Sequence, residues 1–123
     1  MAKRVLDVGN CAADRMAIRD WIRKDFDVQI VAAARWDDAL RVLRRETFDL
    51  VLVNRRLAAD AADGVGLIAR IKSDPDLART PVMLVSDYPE HQARAVAAGA
   101  EPGFGKAQID SSTAREKLGR FLG

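Results

Sequence analysis

Cysteine and histidine are each present once, as Cys11 and His91. One cysteine excludes an internal disulfide and leaves a cysteine-based zinc site without its ligands, which fits a reducing, cytoplasmic setting. Long apolar runs are missing too: no stretch reaches the about 20 residues of a membrane-spanning helix. The opening MAKRVLDVGN passes into a strand without the apolar core of a secretion signal. Charge of one sign is scarce, with 20 basic against 18 acidic residues and a net charge of +2, too small an excess to argue for nucleic acid. No linker, internal repeat or low-complexity tract breaks the chain.

What is present is the make-up of a folded domain. At 49% hydrophobic and 31% charged over 123 residues, residues 1–123 suffice for one domain with a two-sided core and leave no room for a second. Arginine outnumbers lysine, and Arg15, Arg19 and Arg23 recur at four-residue steps, a stripe along one helix that is either a solvated face or a contact for an acidic partner.

Short apolar runs alternate with amphipathic segments throughout: RVLDV, AADRMAIRDWIRKDF, VQIVAA, WDDALRVLRRE, FDLVLV, GVGLIARIKSD, PVMLVS, PEHQARAVAAG and TAREKLGRFL. The runs VQIVA, DLVLV and PVMLV are apolar without alternation, as in strands covered by helices on both faces of a parallel sheet. The helical stripes Ile18, Trp21, Ile22; Trp36, Ala39, Leu40, Leu43; and Leu67, Ile68, Ile71 would face that sheet. Thr113 and Glu116 have the spacing of a capping box for the last helix. EPGFGKA, with its proline and glycines, predicts a short, irregular edge strand. The whole pattern is that of a doubly wound α/β domain, which binds ligands at the carboxyl ends of its strands.

Those ends read Gly9-Asn10-Cys11, Asn54-Arg55, Ser86-Asp87 and Lys106. With this spacing the chain resembles, over its whole length, the receiver domain of bacterial two-component response regulators. The resemblance implies a five-stranded flavodoxin-like sheet of order 2-1-3-4-5 with five helices. It also implies two metal-binding acids after the first strand, a phosphoacceptor aspartate after the third, a serine or threonine after the fourth and a lysine at the fifth. Here these positions hold Gly9 and Asn10, Asn54, Ser86 and Lys106. Magnesium wants anionic oxygen ligands, and an amide lacks the charge and nucleophilicity of a carboxylate. Gly9, Asn10 and Asn54 are therefore degenerate positions, while Ser86 and Lys106 are retained from the switch.

Lys106, deprived of those acids, needs another counter-charge, and Asp7 and Asp87 are the candidates by strand position. Asp7 lies within the first strand, where receivers carry an apolar residue. It is either such a partner or, as we expect, locally hydrogen-bonded. Further departures concern the readout: Ala107 replaces the proline that usually follows the lysine, and Gly103 replaces the aromatic switch residue, with Phe104 one place later. Asn54 and Gly64 stand ten positions apart, more than in common receivers. The alanine-rich loop between them is expected to be partly helical and either to fill the pocket or to present a new surface.

The functional expectation is a stand-alone atypical receiver, not an enzyme, that signals through protein contacts without aspartyl phosphate, metal or cofactor. The resemblance implies a partner such as a histidine kinase or an output protein, or a homodimer, and no membrane or nucleic acid. It also implies a contact face of the fourth helix, fifth strand and fifth helix, here His91, Arg94, Phe104, Arg115 and Arg120. One alternative is a remodelled pocket in which Lys106, Ser86 and Arg55 bind an anion or small ligand. A lower one is a flavodoxin-like enzyme or a redox sensor using Cys11, against which the lack of a phosphate-binding loop argues. Cys11 is expected as a half-buried structural thiol.

Overall fold

The computed structural model describes residues 2–123. The chain runs β1 (Lys3–Val8), α1 (Ala12–Asp25), β2 (Val28–Ala33), α2 (Trp36–Arg45), β3 (Leu50–Asn54), α3 (Gly64–Lys72), β4 (Val82–Val85), α4 (Pro89–Ala97), β5 (Glu101–Phe104) and α5 (Ser112–Leu122), with a single 3-10 turn at Lys106–Gln108. The strands form one parallel sheet in the order β2-β1-β3-β4-β5, the expected doubly wound arrangement.

Because successive strand residues point to opposite faces, the apolar runs divide into two cores. Leu6, Val8, Val51 and Val53 pack with Ala39, Leu43, Leu67, Ile68 and Ile71 on the α2/α3/α4 face. Val5, Leu50, Leu52, Met83 and Val85 pack with Ile18, Trp21, Ile22, Leu118 and Leu122 on the α1/α5 face. Asp7 shares the parity of Val5 and so lies beneath the α1/α5 layer. β1, β3 and β4 are thus buried on both sides, whereas β2, at the sheet edge, is buried only at Val28 and Ala33.

Two local expectations need correction. The last helix is capped by Ser111, whose hydroxyl accepts from the Ala114 amide; Thr113 is inside the helix, so the box read at Thr113 and Glu116 does not form the cap. The loop after β3 is a series of turns rather than a helix, with Ala61 at φ +60° and an antiparallel bridge between Arg56 and Asp63. Trp36 packs at the rim of the core, as its place in the helical stripe leads one to expect, and donates its indole Nε1 to the Asp63 carbonyl at 3.2 Å, tying α2 to that loop.

β5 is short and irregular, as its proline and glycines predict. Met83 pairs with Glu101 but Val85 with Phe104, so β5 fits one extra residue into the interval, a bulge. A Cβ on Gly103 would come within 2.2 Å of the Leu84 carbonyl oxygen, which leaves glycine as the residue that fits. The Gln92 side chain, from α4, donates to the Leu84 and Ser86 carbonyls and accepts from the Gly103 amide, satisfying the backbone groups that the bulge leaves out of the ladder.

Candidate functional site

The carboxyl ends of β1, β3, β4 and β5 meet at one rim, and the structure assembles there the strand-end residues read from the sequence. Each is engaged in a contact that the sequence did not announce.

The loop from Arg55 to Asp63 closes over the end of β1. Leu57 is buried in the α2/α3/α4 core, and a Cβ built on Gly9 would lie 2.4 Å from its Cγ. Gly9 itself sits at φ +79°, a conformation that side chains other than glycine rarely adopt. Its carbonyl accepts from the Ala58 amide at 2.8 Å. A leucine thus fills the space where a metal-binding acid would need room.

Asn54 anchors the same loop. Its Nδ2 donates to the Arg56 carbonyl at 2.7 Å and, more weakly, to the Gly9 carbonyl at 3.4 Å. Both contacts require a donor; a carboxylate here would face two carbonyl oxygens with no proton to share.

Asn10 turns inward. It is only 8% exposed, and its Nδ2 donates to Asp7 Oδ1 at 2.5 Å. Asp7 is 2% exposed. Burial pushes its carboxyl above the usual range, opposed by the Asn10 hydrogen bond and by the positive charges of Arg15 and Lys106. Asp7 Oδ2 and Asn10 Oδ1 have no hydrogen-bond partner. The expected local hydrogen bonding of Asp7 is what the structure displays.

This donor set does not suit magnesium. The first acid position has no side chain, the second presents an amide committed to Asp7, and the third is an amide committed to the loop. Among the described residues no group of three or more His, Cys, Asp or Glu is placed to hold a metal ion.

Lys106 pairs with neither of the acids proposed for it. Its Nζ is 2.7 Å from Asp14 Oδ2, in the first turn of α1. The Lys106 hydrogen bond draws the Asp14 carboxyl below its ordinary range, against a smaller opposing effect of burial and with help from the Cys11 thiol. Asp87 is occupied elsewhere: its Oδ1 accepts from the Ala107 amide at 3.1 Å, in space left open because residue 105 is glycine. Asp14 is the site residue that sequence reasoning missed. Its signal was an acid in the first turn of a helix that packs on the same sheet face as α5.

Ser86 belongs to a relay. Arg55 Nε donates to His91 Nε2 at 2.8 Å, and His91 Nδ1 lies 3.0 Å from Ser86 Oγ. With Nε2 accepting, a neutral imidazole carries its proton on Nδ1 and donates it to the serine. Ser86 Oγ also accepts from the Tyr88 amide, and the Tyr88 ring meets the imidazole edge to face. A cavity of about 200 Å3 opens beside this relay, lined by Asn54, Arg55, Ser86, Tyr88, His91 and Lys106 among others.

Of the residues expected on the partner face, Phe104 is not at the surface. Phe104 is 1% exposed, with its ring edge to face against Trp21 at 5.2 Å, because the bulge turns it to the α1/α5 core. His91 is half-buried in the relay. Arg94, Arg115 and Arg120 are exposed, but Arg115 reaches toward Asp25 of α1 and Arg120 toward Glu101 of β5. Cys11 is exposed rather than half-buried.

Comparison with solved structures places this architecture. A response regulator from Thermotoga maritima is 26% identical, with 96% of this chain and 97% of that one superposed at a TM-score of 0.76. The signal receiver domain of a DNA binding response regulator from Colwellia psychrerythraea 34H is 23% identical over 96% of both chains, TM-score 0.80. The chemotaxis response regulator CheY4 of Vibrio cholerae is 17% identical, covering 99% and 100%, TM-score 0.76. The fold is that of response regulator receiver domains. No protein-family model matches the sequence, and no curated protein matches it. No helix among the described residues is long and apolar enough to cross a membrane.

Proposed function

We propose that this chain is a receiver-type signalling domain that works in the cytoplasm by contacting protein partners, without an aspartyl-phosphate cycle and without magnesium. The observation that carries the reading is the closure of the loop over the strand ends. Leu57 takes the space above Gly9, and the Asn54 amide is spent on two backbone carbonyls. Position 54 offers no nucleophile, and the groups that would gather a phosphoryl group are bound to one another, Lys106 to Asp14 and Ser86 to His91. No residue is assigned a catalytic role.

A domain without a covalent trigger transmits a signal by presenting a surface that a partner recognises. A histidine kinase, an output protein or a second copy of the chain are the partners this fold suggests. Arg94 and Arg120, with the exposed Tyr88 and Val96, are the side chains of α4 and α5 and of the loop leading into α4 that such a partner would meet. Phe104 contributes from below as packing.

The test is incubation with acetyl phosphate and magnesium, read by intact mass, beside an amide NMR titration with magnesium and beryllofluoride. The expected result is no phosphoryl adduct and no saturable shift at Asn10 or Asn54. An adduct labile to hydroxylamine would overturn the proposal.

A further inference from the structure

The strand ends carry no acid at positions 9, 10 and 54, and basic side chains gather in a cleft between the end of β3 and α4. Arg55 and Arg56 leave β3 together, and Arg94 projects from α4. All three line one cleft of about 220 Å3, in which the one acid is Asp63. Asp63 Oδ1 is engaged as the cap of α3, accepting from the Val65 amide. Among the described residues, none of the three guanidiniums is within ion-pair distance of a carboxylate. Arg15, Arg23, Arg45 and Arg79 likewise lack one, so what sets these three apart is that they line a single cleft. Converging like charges repel, and guanidinium forks match oxyanions in shape and hydrogen-bonding capacity.

Part of the cleft is held ready. Arg55 is restrained through its Nε by His91, which Ser86 positions in turn, so its two terminal nitrogens stay available. His91 and Arg94 are three residues apart on α4 and therefore share one helix face. Asn54, next to Arg55, supplies no negative charge to compete. Lys106, the cation that resemblance to receivers singles out, is paired with Asp14, whereas the three arginines of the cleft have no carboxylate partner among the described residues.

We propose that Arg55, Arg56 and Arg94 form a binding site for a phosphate group, held noncovalently and carried either by a small molecule or by a phosphorylated side chain of a partner. The arginines supply the donors, and His91 acts as a positioning residue for Arg55. No bond to phosphorus is made or broken, so this site stands or falls separately from the absence of an aspartyl phosphate.

The experiment is an amide NMR titration of the full chain with pyrophosphate at constant ionic strength, with a phosphoserine tripeptide as a second arm. Saturable shifts are expected around Arg55, Arg56, Asp63, His91 and Arg94. Affinity should fall about tenfold in Arg55→Ala and in Arg94→Ala, as for loss of a charge-assisted hydrogen bond. It should change by no more than about twofold in Lys106→Ala or in Arg23→Ala, an exposed arginine elsewhere. Binding of both ligands allows either source; binding of pyrophosphate alone points to a small molecule, and of the phosphopeptide alone to a modified partner. Absence of saturable shifts with both would overturn the site. So would a larger loss in Lys106→Ala than in Arg94→Ala, or equal losses in Arg23→Ala and Arg94→Ala. Because these substitutions are on exposed or half-exposed side chains, the folded spectrum of each variant serves as its own control.

Discussion

The Asn54 carboxamide donates to the carbonyl oxygen of Arg56 at 2.7 Å, so the residue at the phosphoacceptor position is a structural fastener of the loop behind it. Asn54→Asp, the substitution that would nominally restore a receiver, exchanges that donor for a charged acceptor. We expect it to lower stability by about 1–3 kcal/mol, the range for stranding a hydrogen-bonding group, and to leave the protein unphosphorylated by acetyl phosphate. Urea denaturation and intact mass check the two parts independently.

Gly9 and Leu57 exclude each other's volume. Gly9→Ala meets both the positive φ and the Leu57 side chain, and should destabilise by more than about 1 kcal/mol. In a Leu57→Ala background the 2.4 Å clash with Cγ is removed, while the Cα and Cβ of residue 57 at 3.0 Å and the positive φ remain, so the cost of Gly9→Ala should shrink without vanishing. A double-mutant cycle measures the difference. Strict additivity would mean that the leucine does not set the residue at position 9.

Asp7 makes stability depend on pH in an identifiable direction. Its carboxyl titrates above 3.8 in the folded chain and near the ordinary value when unfolded. Between those two points the native state holds one more proton than the unfolded state, so stability falls as pH rises through that window. Asp7→Asn keeps an amide beside Asn10 and removes the titration. The variant should be more stable than the parent at pH 7 and nearly equal to it at pH 3, in paired urea melts. A variant less stable than the parent at pH 7 would show that an ionised Asp7 contributes to the fold.

Phe104 separates a core role from a partner role. As a buried ring against Trp21, its truncation in Phe104→Ala should cost about 3–5 kcal/mol and alter tryptophan fluorescence. A residue on an exposed contact face would show little change in either.

Lys106 and Asp14 make a half-exposed pair, with side chains 35% and 38% accessible, so screening by water keeps its worth to about 0–1 kcal/mol. The depressed Asp14 carboxyl stabilises the fold above the ordinary carboxylate value and loses that contribution as pH falls through its lower native value. Asp14→Asn should therefore weaken the fold slightly at pH 7 and converge on the parent in acid.

Much of the architecture was legible in the order of residues. DLVLV and PVMLV contain too few polar groups to face water on either side, which requires helices on both faces of the sheet. The stripe Leu67, Ile68, Ile71 could be satisfied only by packing on it. The sequence likewise determined that positions 9, 10 and 54 carry no acid, since charge is a property of the residue and not of its surroundings. The tertiary structure decided what those positions do instead. Lys106 finds Asp14, which is 92 residues away in sequence but adjacent once α1 and the end of β5 meet at one rim. Leu57 lands on Gly9 because the loop folds back rather than coiling. Phe104 faces the core because one extra residue in β5 exchanges the two faces of the strand. Periodicity records how each segment meets water or core, whereas pairing between segments depends on distances that exist only after the sheet has formed.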